Sequence, residues 1–262
     1  MIPKIIHYCW FGENELPKEY QEYITGWKKL CPDYEIIEWN ESNYDVDQVP
    51  YTAQAAKAKK WSFVSDYLGF DVVYRYGGIY LDTDVELIKT LDQILENDAF
   101  FAIEENENGA EVAPGLGFGA KKGHPLLKKL RDMYNEIDFI KADGSLNMVA
   151  IPVYTTKMLE KLGFKRENSL QKLDDVTIYP TPYFAPMDFL TGKIKLTNET
   201  ISIHHYSALW QTPTNLKHIA KIRQNNRRFG KKWGQRINLV WRIWWAILRR
   251  IKKVLRINDE KN

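Results

Sequence analysis

The chain has 262 residues, 44% of them hydrophobic and 13% aromatic, enough to bury one sizeable core with a small appendage. Two cysteines, Cys9 and Cys31, are too few for a disulfide framework, so a reducing compartment is expected; neither a signal peptide nor an apolar run of membrane-spanning length is legible. The net charge of +3 conceals a division: no Asp or Glu lies between Thr200 and Asn258, and removing the fourteen Lys or Arg of Lys217 to Arg256 from the 37 basic residues leaves 23 against 34 acidic ones, so the body is acidic and the basic tail calls for an anionic partner of its own.

Ile2 to Trp10 reads as a buried first strand, with Pro3 at its start where a proline is tolerated and Phe11-Gly12 turning it. His7, mid-strand, reads as a satisfied core histidine rather than a ligand. Trp10, at the strand's end, is either a core tryptophan or a rigid face for a nucleobase. Pro17 to Leu30 carries a helical pattern (Tyr20, Tyr23, Ile24, Trp27) that Cys31-Pro32-Asp33 ends, and Tyr34 to Trp39 is a second strand. That succession fits a parallel βαβ unit at the start of an α/β domain. A helix is expected over Gln54 to Tyr76, with Trp61, Val64 and Leu68 at helical spacing and Gly77-Gly78 as its stop.

Ile79-Tyr80-Leu81 then forms a short apolar run of strand type, followed at once by Asp82-Thr83-Asp84. Burying two ionised carboxylates unpaired costs several kcal/mol, so the pair belongs at the strand's C-terminal edge, where open α/β sheets place ligands. One residue apart, the acids can share a hard divalent cation, Asp84 directly and Asp82 through water. An Asp-x-Asp is by itself also an ordinary solvated turn. Asp66, on the preceding helix among Phe63, Val64 and Leu68, is a third candidate acid. Val85 to Leu95 is expected to return to helix, and Ala99 to Ile103 to form a buried strand before Glu104-Glu105, which suits a solvated loop or sugar hydroxyls. Gly115, Gly117 and Gly119 do not make a dinucleotide fingerprint, since no strand and helix flank a G-x-G-x-x-G. A helix over Leu126 to Ile137, a loop and helix over Ala142 to Thr156, a strand over Val176 to Tyr179 and a proline-broken loop over Thr181 to Phe189 follow. Ile201 to Tyr206 alternates as a last strand and carries His204 and His205.

Ser65-Asp66 together with Tyr-Gly-Gly-Ile-Tyr-Leu-Asp-Thr-Asp-Val (76–85) resembles the core motif of glycosyltransferase family 32, which includes bacterial capsule and lipopolysaccharide sugar transferases and yeast Golgi mannosyltransferases. The block is also similar to the catalytic domain of the large clostridial glucosylating toxins. The opening Ile-Pro-Lys-Ile-Ile-His-Tyr-Cys-Trp-Phe-Gly and the His-His-aromatic block that ends in Trp210 match as well, so the resemblance covers roughly residues 1 to 212. It implies a GT-A type α/β fold for nucleotide-diphospho-sugar transfer, with a mixed central sheet flanked by helices, and retention of anomeric configuration. It also implies roles: Trp10 on the base, Asp66 on ribose and donor-sugar hydroxyls, Tyr80 and Asp82 on the donor side, and Trp210 closing the donor site. A histidine of the last strand reaches the metal or diphosphate in such relatives; spacing to Trp210 favours His205, with His204 in reserve. Imidazole beside carboxylates suits Mn²⁺ better than Mg²⁺, which prefers oxygen. Two positions depart from the pattern: Gly69 stands where relatives commonly have arginine, and Leu209 where a serine often precedes the tryptophan. Arg75, two turns beyond Asp66, cannot be assumed to substitute.

Residues 213–262 form a separate basic, tryptophan-rich tail. Between Arg236 and Ile257 the apolar Val240, Trp244, Ile247, Leu248, Ile251, Val254 and Leu255 fall on one face, and Arg242, Arg249, Lys252, Lys253 and Arg256 on the other. An amphipathic helix in an anionic membrane interface, a helix docked on the domain's own core and an RNA-binding tail all fit; the tryptophans favour the membrane, and no nucleic-acid-binding module accompanies the charge. The expectation is a metal-dependent hexosyltransferase using a UDP- or GDP-hexose and an oligosaccharide or lipid-linked saccharide acceptor, cytoplasmic and peripheral on the inner membrane face. The rivals are a sugar nucleotidyltransferase and a membrane-surface saccharide-binding protein whose transferase site has decayed.

Overall fold

A computed structural model describes residues 1–106, 109–208, 211 and 213–254. The chain forms two compact units: Met1–Met187 with Ile194–Trp210, and Asp188–Lys193 with Gln211–Asn262. In the first, β1 (Ile5–Cys9) leads through α1 (Lys18–Leu30) to β2 (Glu35–Trp39), which pairs parallel with β1, the expected βαβ unit. α2 (Pro50–Lys57) and α3 (Trp61–Tyr76) deliver the chain to β3 (Gly78–Tyr80) on the other side of β1, again parallel, with Ile6 opposite Ile79. Next come β4 (Val85–Leu87), β5 (Ala99–Asn106), β6 (Gly109–Val112), β7 (Phe118–Ala120), α4 (Pro125–Asp132) and α5 (Ile151–Glu160). β8 (Gln171–Leu173), β9 (Val176–Tyr179), the single turn α6 (Thr181–Phe184) and β10 (Ser202–His204) complete the unit. The main sheet runs β2-β1-β3-β7-β5-β9-β8 with β6 on β5; β7 is antiparallel to both neighbours, and β10 pairs antiparallel with β4 outside that sheet.

Both faces of the central strands are covered, which is why they read as unbroken apolar runs rather than alternations. Ile79, Leu81, Phe100 and Ala102 pack with Ile24 and Trp27 of α1 and Phe184 of α6. Tyr80, Phe101, Ile103 and Phe118 pack with Phe63, Val64, Leu68 and Val73 of α3 and Leu127 and Leu130 of α4. α3 therefore lies deep: it buries Tyr67 to Val73 without interruption and stops at Gly77, whose φ of 72° ends the helix. Gly78, at φ 106°, lets β3 slide in beside β1, since a Cβ there would sit 2.7 Å from the Ile5 carbonyl oxygen. His7 is the core histidine expected. Gly77 O can only accept and Trp39 Nε1–H can only donate, so Nε2 carries the proton (2.8 Å) and Nδ1 accepts (3.2 Å).

Three element expectations are corrected. Val85 to Leu95 is not a helix: Val85–Leu87 pairs with β10 as β4, and only Asp92–Ile94 makes a 3₁₀ turn. The ladder to a strand more than a hundred residues later overrides the local pattern, which no short-range signal could announce. The single helix over Gln54 to Tyr76 is two, parted where Lys59 takes φ 54°. The helix expected over Leu126 to Ile137 ends at Asp132 and tightens into a 3₁₀ turn over Met133–Glu136.

In the second unit, α7 (Pro213–Val254) is broken at Gly230 (φ 74°, ψ 159°). Asn225 Nδ2 donates to Asn238 Oδ1 (2.7 Å) and Asn238 Nδ2 to Asn226 Oδ1 (3.2 Å), so the two limbs lie side by side as a hairpin. Gly234 faces Asn226 where a Cβ would overlap it. Arg223 Nε donates to Phe189 O (3.1 Å), Asn226 Nδ2 to Leu190 O (2.9 Å) and Arg227 to Thr191 O and Gly192 O, which fastens the Asp188–Lys193 loop to the first limb. Among the described residues no helix is long and apolar enough to cross a membrane.

Candidate active site

The site is assembled at the C-terminal ends of β1 and β3. Leu81 N–H donates to His7 O, the last rung between the two strands, and the chain then turns through Asp82-Thr83-Asp84, with Val85 N–H on Asp82 O. Because β4 pairs with β10, His204 stands opposite Val85 and beside Asp84. Its Nε2 lies 3.2 Å from Asp84 Oδ1 and 3.9 Å from Asp82 Oδ2. Asp82, Asp84 and His204 thus bring one ligand atom each within 4.8 Å of one another. Gly115, in the glycine-rich turn, closes the cradle. A Cβ there would be 2.6 Å from Asp82 Oδ2 and 3.8 Å from His204 Nε2.

The electrostatics of the three groups differ. Burial and the neighbouring Asp84 push the Asp82 carboxyl up, against the opposing pull of His204 and a hydrogen bond from Tyr80. Burial works to raise Asp84 as well, but the His204 charge and hydrogen bonds from His204 and Ser207 outweigh it and hold that carboxyl low. Burial opposes the imidazolium of His204, yet Asp84, then Asp82 and Glu104, carry its pKa up to about 9. Two carboxylates and one imidazole in a glycine-lined cradle are a donor set that fits a divalent cation of the Mn²⁺ type, and His204 Nδ1 is buried with no hydrogen-bond partner among the described residues. Asp66, half-buried on α3, is pushed well above the ordinary carboxyl range by burial and by Asp82, so the third acid shares this neighbourhood.

The histidine preference is corrected. His205 Nε2 is 2.9 Å from Glu86, its ring stacks on Tyr23 at 4.8 Å, and it takes no place in the Asp82–Asp84 cluster. β10 ends at His204, so spacing to Trp210 selected the wrong neighbour. Tyr80 is placed differently: it is 4% exposed, its hydroxyl lies 2.9 Å from Cys9 Sγ, and its ring packs on Phe118 in the core rather than offering an open face to a donor. The Gly69 departure has a packing counterpart, since a Cβ at Gly69 would meet the Tyr80 ring at 3.1 Å. Arg75 is committed elsewhere, to Asp71 at 3.2 Å, and does not stand in for the missing arginine. Trp10 is half-buried at the end of β1, its Nε1 on Asn14 O (2.6 Å) and its ring edge-on to Tyr20 at 6.1 Å. Trp210 lies outside the described residues.

Two contributors carry no sequence signal. Ser207 N–H donates to Asp84 Oδ2 (2.8 Å), and Tyr20, which the Trp10 ring meets edge-on, has its hydroxyl pKa raised by burial and by the nearby Asp84 and Asp82, which places the Trp10 aromatic wall beside the acids. Ser207 is aimed by Tyr206 at φ 52° and Ala208 at φ 50°, a left-handed pair on non-glycine residues of the kind concentrated at ligand clamps.

Fold and site together define a GT-A type α/β protein with an Asp-Thr-Asp motif at the edge of its central sheet. Residues 17–101 match the family described as "Glycosyltransferase sugar-binding region containing DXD motif". Inositol phosphoceramide mannosyltransferase 3 of Schizosaccharomyces pombe is 32% identical over 48% of the chain and 35% of its own length. The initiation-specific alpha-1,6-mannosyltransferase of Candida albicans is 25% identical over 49% of the chain and 41% of its own length. The chain therefore spans well under half of these curated relatives. Among solved structures, the PaToxG glycosyltransferase superposes with a TM-score of 0.51 at 18% identity, over 61% of this chain and 69% of that one. The match to the glycosyltransferase sugar-binding region and the resemblance to family 32 read in the sequence thus fall on the same segment, the one that carries Asp66, Asp82 and Asp84.

Proposed function

We propose that the chain transfers a hexose from a nucleotide-diphospho-sugar to a saccharide acceptor, in a metal-dependent reaction that retains the anomeric configuration. The observation that carries the reading is the convergence of Asp82 and Asp84, both inside the matched DXD region, with His204 of β10 on one point at the C-terminal edge of β3. The relatives' names, all with mannosyl among them in the two quoted, make a UDP- or GDP-linked mannose the first donor class to try. Asp84 and His204 would hold the cation, Mn²⁺ before Mg²⁺, with Asp82 completing its shell. A divalent cation there supplies charge neutralisation for the donor diphosphate as the sugar–phosphate bond breaks.

The chain's own residues then orient the substrates. Trp10 offers an indole face to the base and Tyr20 backs it; Asp66 takes hydroxyls of ribose or donor sugar; Ser207 holds Asp84 in the rotamer that faces His204. The acceptor hydroxyl forms its bond to the anomeric carbon from the face the diphosphate leaves, and its proton passes to the departing phosphate oxygen, so no protein base is required. A lipid-linked acceptor in surface or capsular polysaccharide synthesis, at the inner face of the membrane, completes the reading. The test is Asp84→Ala assayed for donor hydrolysis and transfer in saturating Mn²⁺. Loss of turnover by a thousandfold or so is expected for a charge that stabilises the leaving group; unchanged turnover sinks the metal role. Calorimetry that shows wild type binding neither UDP nor GDP in Mn²⁺ would instead favour the saccharide-binding reading with a decayed transferase site, to which Gly69 gives its specific support.

A further inference from the structure

The second limb of α7 carries a surface the proposed reaction does not use. Trp233, Ile237, Val240 and Trp244 are 60%, 38%, 68% and 56% exposed. Their spacing of four, three and four residues aligns them on a single stripe, and Phe229, just before the break at Gly230, is 44% exposed as well. A neighbouring side of the limb is the packed one, where Gly234 and Asn238 meet Asn225 and Asn226. An amphipathic helix ordinarily buries its apolar stripe; here a polar asparagine contact is buried and the tryptophan stripe faces outward.

The stripe is edged with cations. Lys232 and Arg236, one turn apart and both exposed, run along one flank, and the Arg236 guanidinium lies over the Trp233 ring at 4.8 Å. Arg228 lies likewise over Phe229 at 5.3 Å. No acidic residue occurs anywhere in Pro213–Val254, so the limb has no anion of its own to balance these charges. Aromatic side chains at one level with guanidinium groups beside them match the headgroup layer of a bilayer, where rings sit at the boundary and cations meet lipid phosphates. A second copy of the chain would bring the same positive charge to the contact and repel it. An RNA would pair with the cations and leave aliphatic Ile237 and Val240 without a partner.

We infer that the stripe Trp233, Ile237, Val240 and Trp244, with Lys232 and Arg236 along its edge, is a docking face for a bilayer surface rich in anionic phospholipid. This rests on the membrane-side location in the reading above for its setting, but on these residues alone for its chemistry. Docking is reversible and strengthens with anionic lipid, because each cation near such a surface contributes roughly a fivefold gain in affinity.

The experiment is co-sedimentation of the full chain with vesicles of phosphatidylcholine alone and of phosphatidylcholine mixed with phosphatidylglycerol, at low and high salt, beside a light-scattering measurement of mass. Binding to the mixed vesicles alone, weakened by salt, is expected. Trp233→Ser with Trp244→Ser should lower that binding at least about tenfold. Lys232→Gln with Arg236→Gln should lower it about twentyfold and flatten the salt dependence. Both variants should keep the wild-type unfolding midpoint and wild-type donor hydrolysis in solution, since none of the four residues belongs to the catalytic unit. Equal binding to neutral vesicles, no binding at all, a salt-insensitive dimer abolished by the tryptophan variant, or preference for an added RNA over the mixed vesicles would each overturn the inference. Lipid binding without donor turnover would leave it standing and count against the transferase reading instead.

Discussion

The choice between two adjacent histidines turns on a single feature, the end of a strand. His204 is the last residue of β10 and is placed by its rung opposite Val85, while His205 lies past the ladder and turns to Glu86 and Tyr23. The two replacements should therefore separate cleanly. His204→Gln should weaken Mn²⁺ binding on the order of a hundredfold or more, the loss found for groups that merely orient a ligand being already ten- to a hundredfold. His205→Gln removes a part-buried hydrogen bond to Glu86 and a ring stack on Tyr23, neither at the Asp82–Asp84 cluster, and should leave Mn²⁺ affinity within about threefold of wild type. Calorimetric titration of both variants decides it, and a larger loss for His205→Gln would mean that the site is built around the other imidazole.

Elements show how far the sequence carries and where it stops. β1, α1, β2 and the strand that ends in Asp82-Thr83-Asp84 were legible because each is local: an apolar run or a 3.6-residue period closed by glycine or proline. β4 carries a helix-like pattern because its reason to be a strand is β10, a partner that periodicity cannot see. Ser207 was invisible for a related reason, since only the left-handed Tyr206 and Ala208 aim its amide at Asp84, and neither residue type advertises that conformation. Glycine is the opposite case, and two of them make a paired prediction. Gly78→Ala must hold φ 106° and place a methyl 2.7 Å from Ile5 O, which should cost about 2–5 kcal/mol from backbone strain and overpacking together. Gly26→Ala, mid-way along α1 with nothing within 4 Å of its Cβ, should stabilise by about 0.5–1 kcal/mol. Urea unfolding of the two variants checks both signs, and a neutral Gly78→Ala would mean that β3 does not sit against β1 as described.

For the whole molecule, the acid limit of stability should be set in part by one ring far from solvent. His7 joins β1 to β2 through Trp39 and to the end of α3 through Gly77, and it must stay neutral to accept the Trp39 proton at Nδ1. Burial depresses its pKa from the ordinary 6.5 to about 4, with the Gly77 hydrogen bond opposing only part of that. Between those two values the unfolded chain binds a proton that the native chain does not. Stability therefore falls as the pH drops through about 6.5 and stops falling, for this group, below about 4. The full loss is on the order of 3 kcal/mol, a large share of the 5–15 kcal/mol typical of a domain. His124 is also depressed by burial and slopes the same way, so the His7 share must be read as a difference. His7→Gln keeps a side-chain donor and acceptor but cannot titrate; it should be less stable at neutral pH and lose stability less steeply between pH 6.5 and 4 than wild type. Parallel curves for the two proteins, taken from urea midpoints across that window, would show that His7 is already protonated in the native state and that the Trp39 contact is made some other way.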